Sequence, residues 1–248
     1  IGSNDGTCLI FFKEAGFNVL GVDPATEIAA EAAAEGIPTV ADFFSESLGK
    51  ELLAEYGPAH LITSHNACAH IDDLLNLMRG VRHWLADDGL FIFEVGYLLD
   101  VYSNTWFDTM YHEHLDYHSV KPLVPFFESI DMELFSVKRV SPQGGSIRLH
   151  VQKKGGPHSV DPSVKELIRL EEDIGLDKAE TFRAFSDKVN TVKIALSEIL
   201  RSLKAQGMRI AGYGAPTKST TLLTHFGLGD EILDFIVDDN PLKQGKFT

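Results

Sequence analysis

The chain has 248 residues, 44% of them hydrophobic, enough for one large or two small domains with a substantial core. Lysine and arginine number 22 against 36 aspartates and glutamates, a formal net charge of −14 spread along the chain, which offers no basic footprint for a phosphate backbone and speaks against a nucleic-acid partner. No apolar run approaches the ~18 residues needed to span a bilayer, and Cys8 and Cys68 have no CxxC spacing, so the expectation is a reduced, cytoplasmic protein with no membrane segment, disulfide framework or thiolate metal site.

The chain opens at Ile1 inside a glycine-rich stretch, "IGSNDG" (1–6), with no signal-like leader, and is expected to be a fragment of a longer protein. Residues 9 to 153 then alternate strand-like and helical runs, the pattern of a parallel sheet covered by helices. "FNVLGVDP" (17–24), "AHLITSHN" (59–66) and "GLFIFEVG" (89–96) predict strands; "TEIAAEAAAEG" (26–36) and "DDLLNLMRGVRHWL" (72–85) predict helices. "MELFSVKRV" (132–140) and "GSIRLHVQK" (145–153), joined by "SPQGG", predict an antiparallel hairpin. This α/β, Rossmann-like layout is similar to that of class I methyltransferases, though other doubly wound folds also carry an antiparallel edge. From Phe182 to Leu203 apolar residues recur at gaps of three and four with Gly207 as a stop, predicting one amphipathic helix over about 178–206. "MRIAGYGAPTKSTTLL" (208–223) and "ILDFIVDDNP" (232–241) predict a second α/β unit, cut short. The expected division is a cofactor-binding domain over 1–155, a helical connector over 156–207 and a partial Rossmann-like lobe over 208–248.

The first loop and the distal Asp23 have the two elements of a nucleoside-binding βαβ unit. Asp5 would repel a dinucleotide's pyrophosphate, whereas S-adenosylmethionine carries an ammonium and a sulfonium and no phosphate. The expected contacts are Gly2, Ser3, Asn4, Asp5 and Gly6 of the loop, Asp23 and Pro24 at the ribose, and Asp42 and Phe43 at the adenine. A plainer reading makes the glycines a tight turn and Asp23 the cap of a helix begun by Pro24.

Ligands of open α/β sheets bind beyond the carboxyl ends of the strands, and "SHNACAHIDD" (64–73) and "YHEHLDYH" (111–118) both follow such ends. Asn66, His70, Tyr111, Glu113 and His114 are therefore expected to reach one crevice. The histidine cluster admits three readings: a metal site using His112, His114 and His118, a solvated polar loop, or an acid/base centre. In the last, His114 removes a proton with its imidazole held by Glu113 or another neighbour.

"GSNDG", "VLGVDPA", "NACAHIDDL", "FDTMYHEHLDYHS", "GGSIRL" and "RIAGYGAPTKSTTLL...DFIVDDNPLKQG" together resemble, in order and over nearly the whole chain, the S-adenosylmethionine-dependent sugar C-methyltransferases of deoxysugar biosynthesis. The resemblance implies methylation at carbon 3 of a nucleotide-linked 4-keto-deoxysugar. It also implies a zinc-binding amino-terminal lobe, absent here, so that zinc belongs only to that lobe and no metal to this chain. By motif, His114 corresponds to the base, Tyr111 and Glu113 to its supports and His70 to an oxyanion stabiliser or acid/base partner. Gly96 departs from the family's common "EVPYL". "GYGAPTKS" (212–219), with Tyr213 and Lys218, has two readings, a cradle for the substrate's diphosphate or a relic of a duplicated fold; Arg148 is a further candidate phosphate contact. The competing functions are an NAD-dependent nucleotide-sugar oxidoreductase, a methyltransferase of another small molecule, and a ligand-binding module without catalysis.

Overall fold

The computed structural model describes residues 1–246; Phe247 and Thr248, included in the expected carboxyl-terminal lobe, lie outside the described residues. Packing divides the chain into two compact units, Ile1–Tyr97 with Leu115–Glu171, and Leu98–His114 with the chain from Glu172 onward.

In the first unit the chain runs α1 (Thr7–Glu14), β1 (Gly21–Val22), α2 (Thr26–Ala34), β2 (Thr39–Val40), α3 (Glu46–Tyr56), β3 (Ala59–His65), α4 (Leu74–Trp84) and β4 (Leu85–Gly96). Serine and aspartate open two of these helices by accepting otherwise unpaired amides: Ser45 Oγ takes the Leu48 N–H and Asp73 Oδ1 the Asn76 N–H. Strands β1 and β2 pair in parallel, as do β3 and β4. The predicted hairpin is present as β5 (Met132–Val140) and β6 (Ser146–Lys153), giving the order β3-β4-β6-β5 with β6 antiparallel to both neighbours. Residues 1–3 stand between the two sheets: the Ile1 nitrogen donates to Thr63 O on one side, and the Gly2 and Ser3 amides donate to Val22 O on the other.

Alternation along β4 sends Phe91, Phe93 and Val95 into the core, where Leu77, Met78 and Val81 of α4 and Leu123 and Phe127 of α6 (Val120–Glu128) are also buried. The α3 and α4 backbones approach closely at two glycines: a Cβ on Gly49 would run into the Gly80 carbonyl, and one on Gly80 into the Ser45 carbonyl.

The second unit is built on α8 (Ala179–Ala205), which agrees closely with the predicted helix and at ~1.5 Å per residue is about 40 Å long. Its Phe185 and Val189 form a core with Val101 of α5 (Leu98–Asn104), Phe226 of α9 (Thr217–Phe226), Leu228 and Ile232. The parallel pair β7 (Ala211–Tyr213) and β8 (Phe235–Val237) flanks α9 in sequence. This division differs from the expected one. α8 is core to its unit and not a connector, α7 (Pro162–Ile174) contributes its residues up to Glu171 to the first unit, and 98–114, to which no helix was assigned from the sequence, contains α5 and a 3-10 turn at Phe107–Thr109. The cause is the apolar content of that segment: Val101, Tyr102, Trp106 and Phe107 pack on the second core. Among the described residues no helix is long and apolar enough to cross a membrane.

Candidate active site

In the first unit, the turn before α1 is made by residues in the left-handed region, Gly2 (φ 64°), Asn4 (φ 50°) and Gly6 (φ 80°). Asp23, at the tip of β1, is buried and accepts from two backbone amides, Asn4 N–H at Oδ2 (2.9 Å) and Ala25 N–H at Oδ1 (3.0 Å). It thus joins the glycine turn to the strand, while α2 begins only at Thr26, past exposed Pro24, so Asp23 is not the cap of a helix starting at Pro24. Asp5 is exposed and its Oδ1 accepts from Thr7 N–H and Thr7 Oγ1; the Thr7 hydroxyl hydrogen bond holds its carboxyl below the usual range, so it carries a negative charge beside the turn. Asp42 accepts the Phe43 amide and leaves the Phe43 ring 75% exposed beyond β2.

These residues fit S-adenosylmethionine. Each Asp23 oxygen retains a lone pair for a ribose hydroxyl. Ser3 Oγ is buried with no hydrogen-bond partner, and a Cβ on Gly21 would stand 2.6 Å from it, so the glycine keeps open a polar cradle beside the turn. Asn66, also left-handed (φ 55°), donates its amide to Glu94 O at the carboxyl ends of β3 and β4.

His70 lies exposed at the end of a 3-10 turn, Cys68–His70, just beyond β3. The neighbouring Ala69 carbonyl accepts the Leu115 amide at 2.8 Å, which ties the returning chain to this loop. A group that sequence reasoning missed crosses the same sheet end: Glu94, buried in β4, accepts from Arg148 Nε and Nη2, both 2.7 Å from Oε2, with His65 Nδ1 at 3.8 Å. Burial pushes the His65 imidazole down, against the opposing effect of Glu94. The signal was a carboxylate inside the apolar run "FIFEVG". Arg148, expected at phosphate, is committed to this ion pair. Gly96 has open space where a side chain would stand, so no steric demand explains its departure from the family pattern.

Tyr111, Glu113 and His114 belong to the second unit. The His114 imidazole is held at both nitrogens, Nδ1 lying 2.8 Å from the Thr109 carbonyl and Nε2 3.2 Å from the Tyr111 hydroxyl. A carbonyl only accepts, so Nδ1 carries a proton, and in the neutral ring it is Nε2 that holds the lone pair facing the Tyr111 O–H. The partner at Nδ1 is Thr109, where Glu113 had been considered; Glu113 Oε1 lies 3.9 Å from His112 Nε2. Burial, then the Glu113 charge, raise the Tyr111 phenol, which keeps it a donor. The turn is buttressed from α9: Phe107 stacks on Phe226 at 5.1 Å, and Thr221 Oγ1 reaches Met110 O at 3.5 Å. His112 is 83% exposed and His118 buried against Phe93, and among the described residues no three His, Cys, Asp or Glu side chains group as a metal would require.

At the second glycine turn the phosphate cradle is largely taken up. Gly214 N–H donates to Val237 O and Ala215 N–H to Asp238 Oδ2, while the Tyr213 hydroxyl donates to Asp239 at 2.5 Å. Two backbone donors expected at a diphosphate are thus spent internally, and two carboxylates stand beside them. Lys218 sits in the first turn of α9.

A glycine turn, a buried acid at the next strand tip and an antiparallel hairpin beside a parallel strand pair are the features of a methyltransferase domain. The chain belongs to the methyltransferase family: a profile described as methyltransferase domain matches residues 1–133, and one described as C-methyltransferase C-terminal domain matches residues 141–248. It is 38% identical over 245 residues to the C-methyltransferase NovU of Streptomyces niveus, covering 99% of this chain and 58% of that protein, so the chain spans under three fifths of the relative's length. Among solved structures it is similar to a SAM-dependent methyltransferase from Anabaena variabilis ATCC 29413, with TM-score 0.49 and 16% identity over 62% of this chain and 75% of that one. It is also similar to magnesium protoporphyrin IX methyltransferase (ChlM) from Synechocystis PCC 6803 with bound SAH, with TM-score 0.48 and 12% identity over 62% and 72% of the two chains.

Proposed function

We propose that this chain is the catalytic part of an S-adenosylmethionine-dependent C-methyltransferase acting at carbon 3 of a nucleotide-linked 4-keto-deoxysugar, in a reducing cytoplasmic setting. The observation that carries the reading is the orientation of His114, with Nδ1–H on the Thr109 carbonyl and Nε2 at the Tyr111 hydroxyl, where the neutral ring has its lone pair. The name of the Streptomyces niveus relative supports carbon as the methylated atom. The motif resemblance over nearly the whole chain supports the sugar.

A saturated carbon attacks a sulfonium only after losing a proton, and a neighbouring ketone makes that loss feasible by taking the charge onto oxygen. His114 Nε2 removes the proton from carbon 3, with Tyr111 and Glu113 as its supports. His70 donates to the enolate oxygen. Bound S-adenosylmethionine supplies the methyl group; Gly2, Ser3, Asn4, Asp5, Gly6, Asp23, Pro24, Asp42, Phe43 and Asn66 hold and orient it, so that transfer is mainly a matter of positioning. Lys218 is the proposed nucleotide contact, which Tyr213 joins only by exchanging its hydroxyl's bond to Asp239, and Arg148 braces the sheet end through Glu94.

The test is deuterium uptake at the acceptor carbon, followed on the full-length protein in deuterated water with candidate 4-ketosugars. His114→Ala is expected to slow exchange by about 10²–10⁴-fold with S-adenosylhomocysteine affinity retained. His70→Ala is expected to slow methyl transfer by about 10²–10³-fold. Binding of NADH in place of the methionine-derived cofactor, or unchanged turnover in both variants, would overturn the reading.

A further inference from the structure

The chain passes between the two units three times, after Tyr97, after His114 and after Glu171. One buried carboxylate marks these passages on the side of the first unit. Glu171, 2% exposed, accepts from three donors: the Tyr97 hydroxyl (2.9 Å) and the Val120 amide (2.6 Å) at Oε1, and the Lys121 amide (2.9 Å) at Oε2. Tyr97 is the last residue before the chain leaves, and it is itself wholly buried. Val120 and Lys121 are the first two residues of α6, shortly after the chain returns at Leu115; Glu171 is the last residue before the third passage, inside α7. Tyr97 and His118 also form a backbone bridge, so the two ends of the excursion lie side by side.

We propose that Glu171 is a positioning residue for the reaction read above, a clamp that fixes both ends of the 98–114 segment and so the placement of Tyr111 and His114. The inference rests on that functional reading for its kinetic consequence. The chemistry favours a carboxylate: all three partners are donors, and two are amides of a helix amino terminus, which takes a negative charge well. A glutamine there has one acceptor oxygen and would set its own N–H₂ against the Lys121 N–H or the other two donors.

Glu171→Gln and the milder Tyr97→Phe test this in the full-length protein. Gln152→Leu is the control, because Gln152 is equally buried in the same unit and also makes three hydrogen bonds, to Glu133, His158 O and His158 N, away from every passage. Glu171→Gln is expected to slow deuterium exchange at the acceptor carbon by about ten- to a hundredfold through kcat, with cofactor affinity unchanged. Tyr97→Phe should act in the same direction and add nothing to Glu171→Gln, and Gln152→Leu should lose thermal stability without losing kcat. Independently of turnover, the ¹⁵N signals of the His114 ring are expected to shift in Glu171→Gln and stay in place in Gln152→Leu. Unmoved His114 signals in both clamp variants, or kcat falling equally in the control, would overturn the proposal. A wild-type protein that shows no exchange with any ketosugar would instead sink the functional reading, leaving the ring signals to decide the clamp.

Discussion

His118 shows how one residue of a polar motif can be spent on packing. It is 6% exposed, set edge-on to Phe93 at 5.4 Å, with Nε2 lacking a partner, and burial pushes its imidazole below the ordinary 6.5. The unfolded chain then binds the proton more readily than the fold, so its contribution is complete above about pH 6.5 and is lost as pH falls toward the depressed folded value. His65 and His150 are shifted the same way by burial. Unfolding measured at about pH 7.5 and about pH 5.5 should show stability falling on acidification, and less steeply in His118→Phe, which keeps a ring against Phe93 without the titrating group. An equal slope in the variant would assign the acid sensitivity elsewhere. From sequence, "YHEHLDYH" was legible as a place of chemistry, but not the division of its histidines: burial separates His118 from His114, and only coordinates show that Thr109 fixes the His114 tautomer.

At the level of elements, the hairpin and α8 agree almost residue for residue with their sequence patterns, because turn glycines and a long apolar stripe are local signals. α3 escaped prediction: its run is short and carries Gly49 in its interior, and the helix is held by Ser45 at its start, by buried Leu48 and Leu52 and by backbone contact with α4. That contact depends on Gly49 and Gly80, where the helices meet with no room for a methyl group. Gly80→Ala should therefore destabilise the first unit by about 1–3 kcal/mol despite alanine's better helix propensity, measured by urea unfolding. A neutral or stabilising result would mean the helices can part at no cost.

At the scale of the molecule, the two units have separate cores but an interleaved chain, and this was the least legible feature. The alternation of strands and helices runs on through residue 97 with no break in composition, and what moves 98–114 to the other unit is packing with residues more than seventy positions later. Phe226, 2% exposed, is the ring on which Phe107 stacks, four residues before Tyr111. Phe226→Ala is expected to cost about 3–5 kcal/mol and to slow proton exchange at the acceptor carbon while leaving cofactor affinity within twofold, since the glycine turn and Asp23 belong to the other unit. Loss of both together would show that the cores are not separate. The interleaving also bears on synthesis. Val101, Tyr102, Trp106 and Phe107 emerge from the ribosome long before Phe185 and Phe226, the rings that cover them. At about 5–20 residues per second they stay wet for several seconds, during which a nascent chain offers a sticky patch to holdases or to its neighbours on the same message.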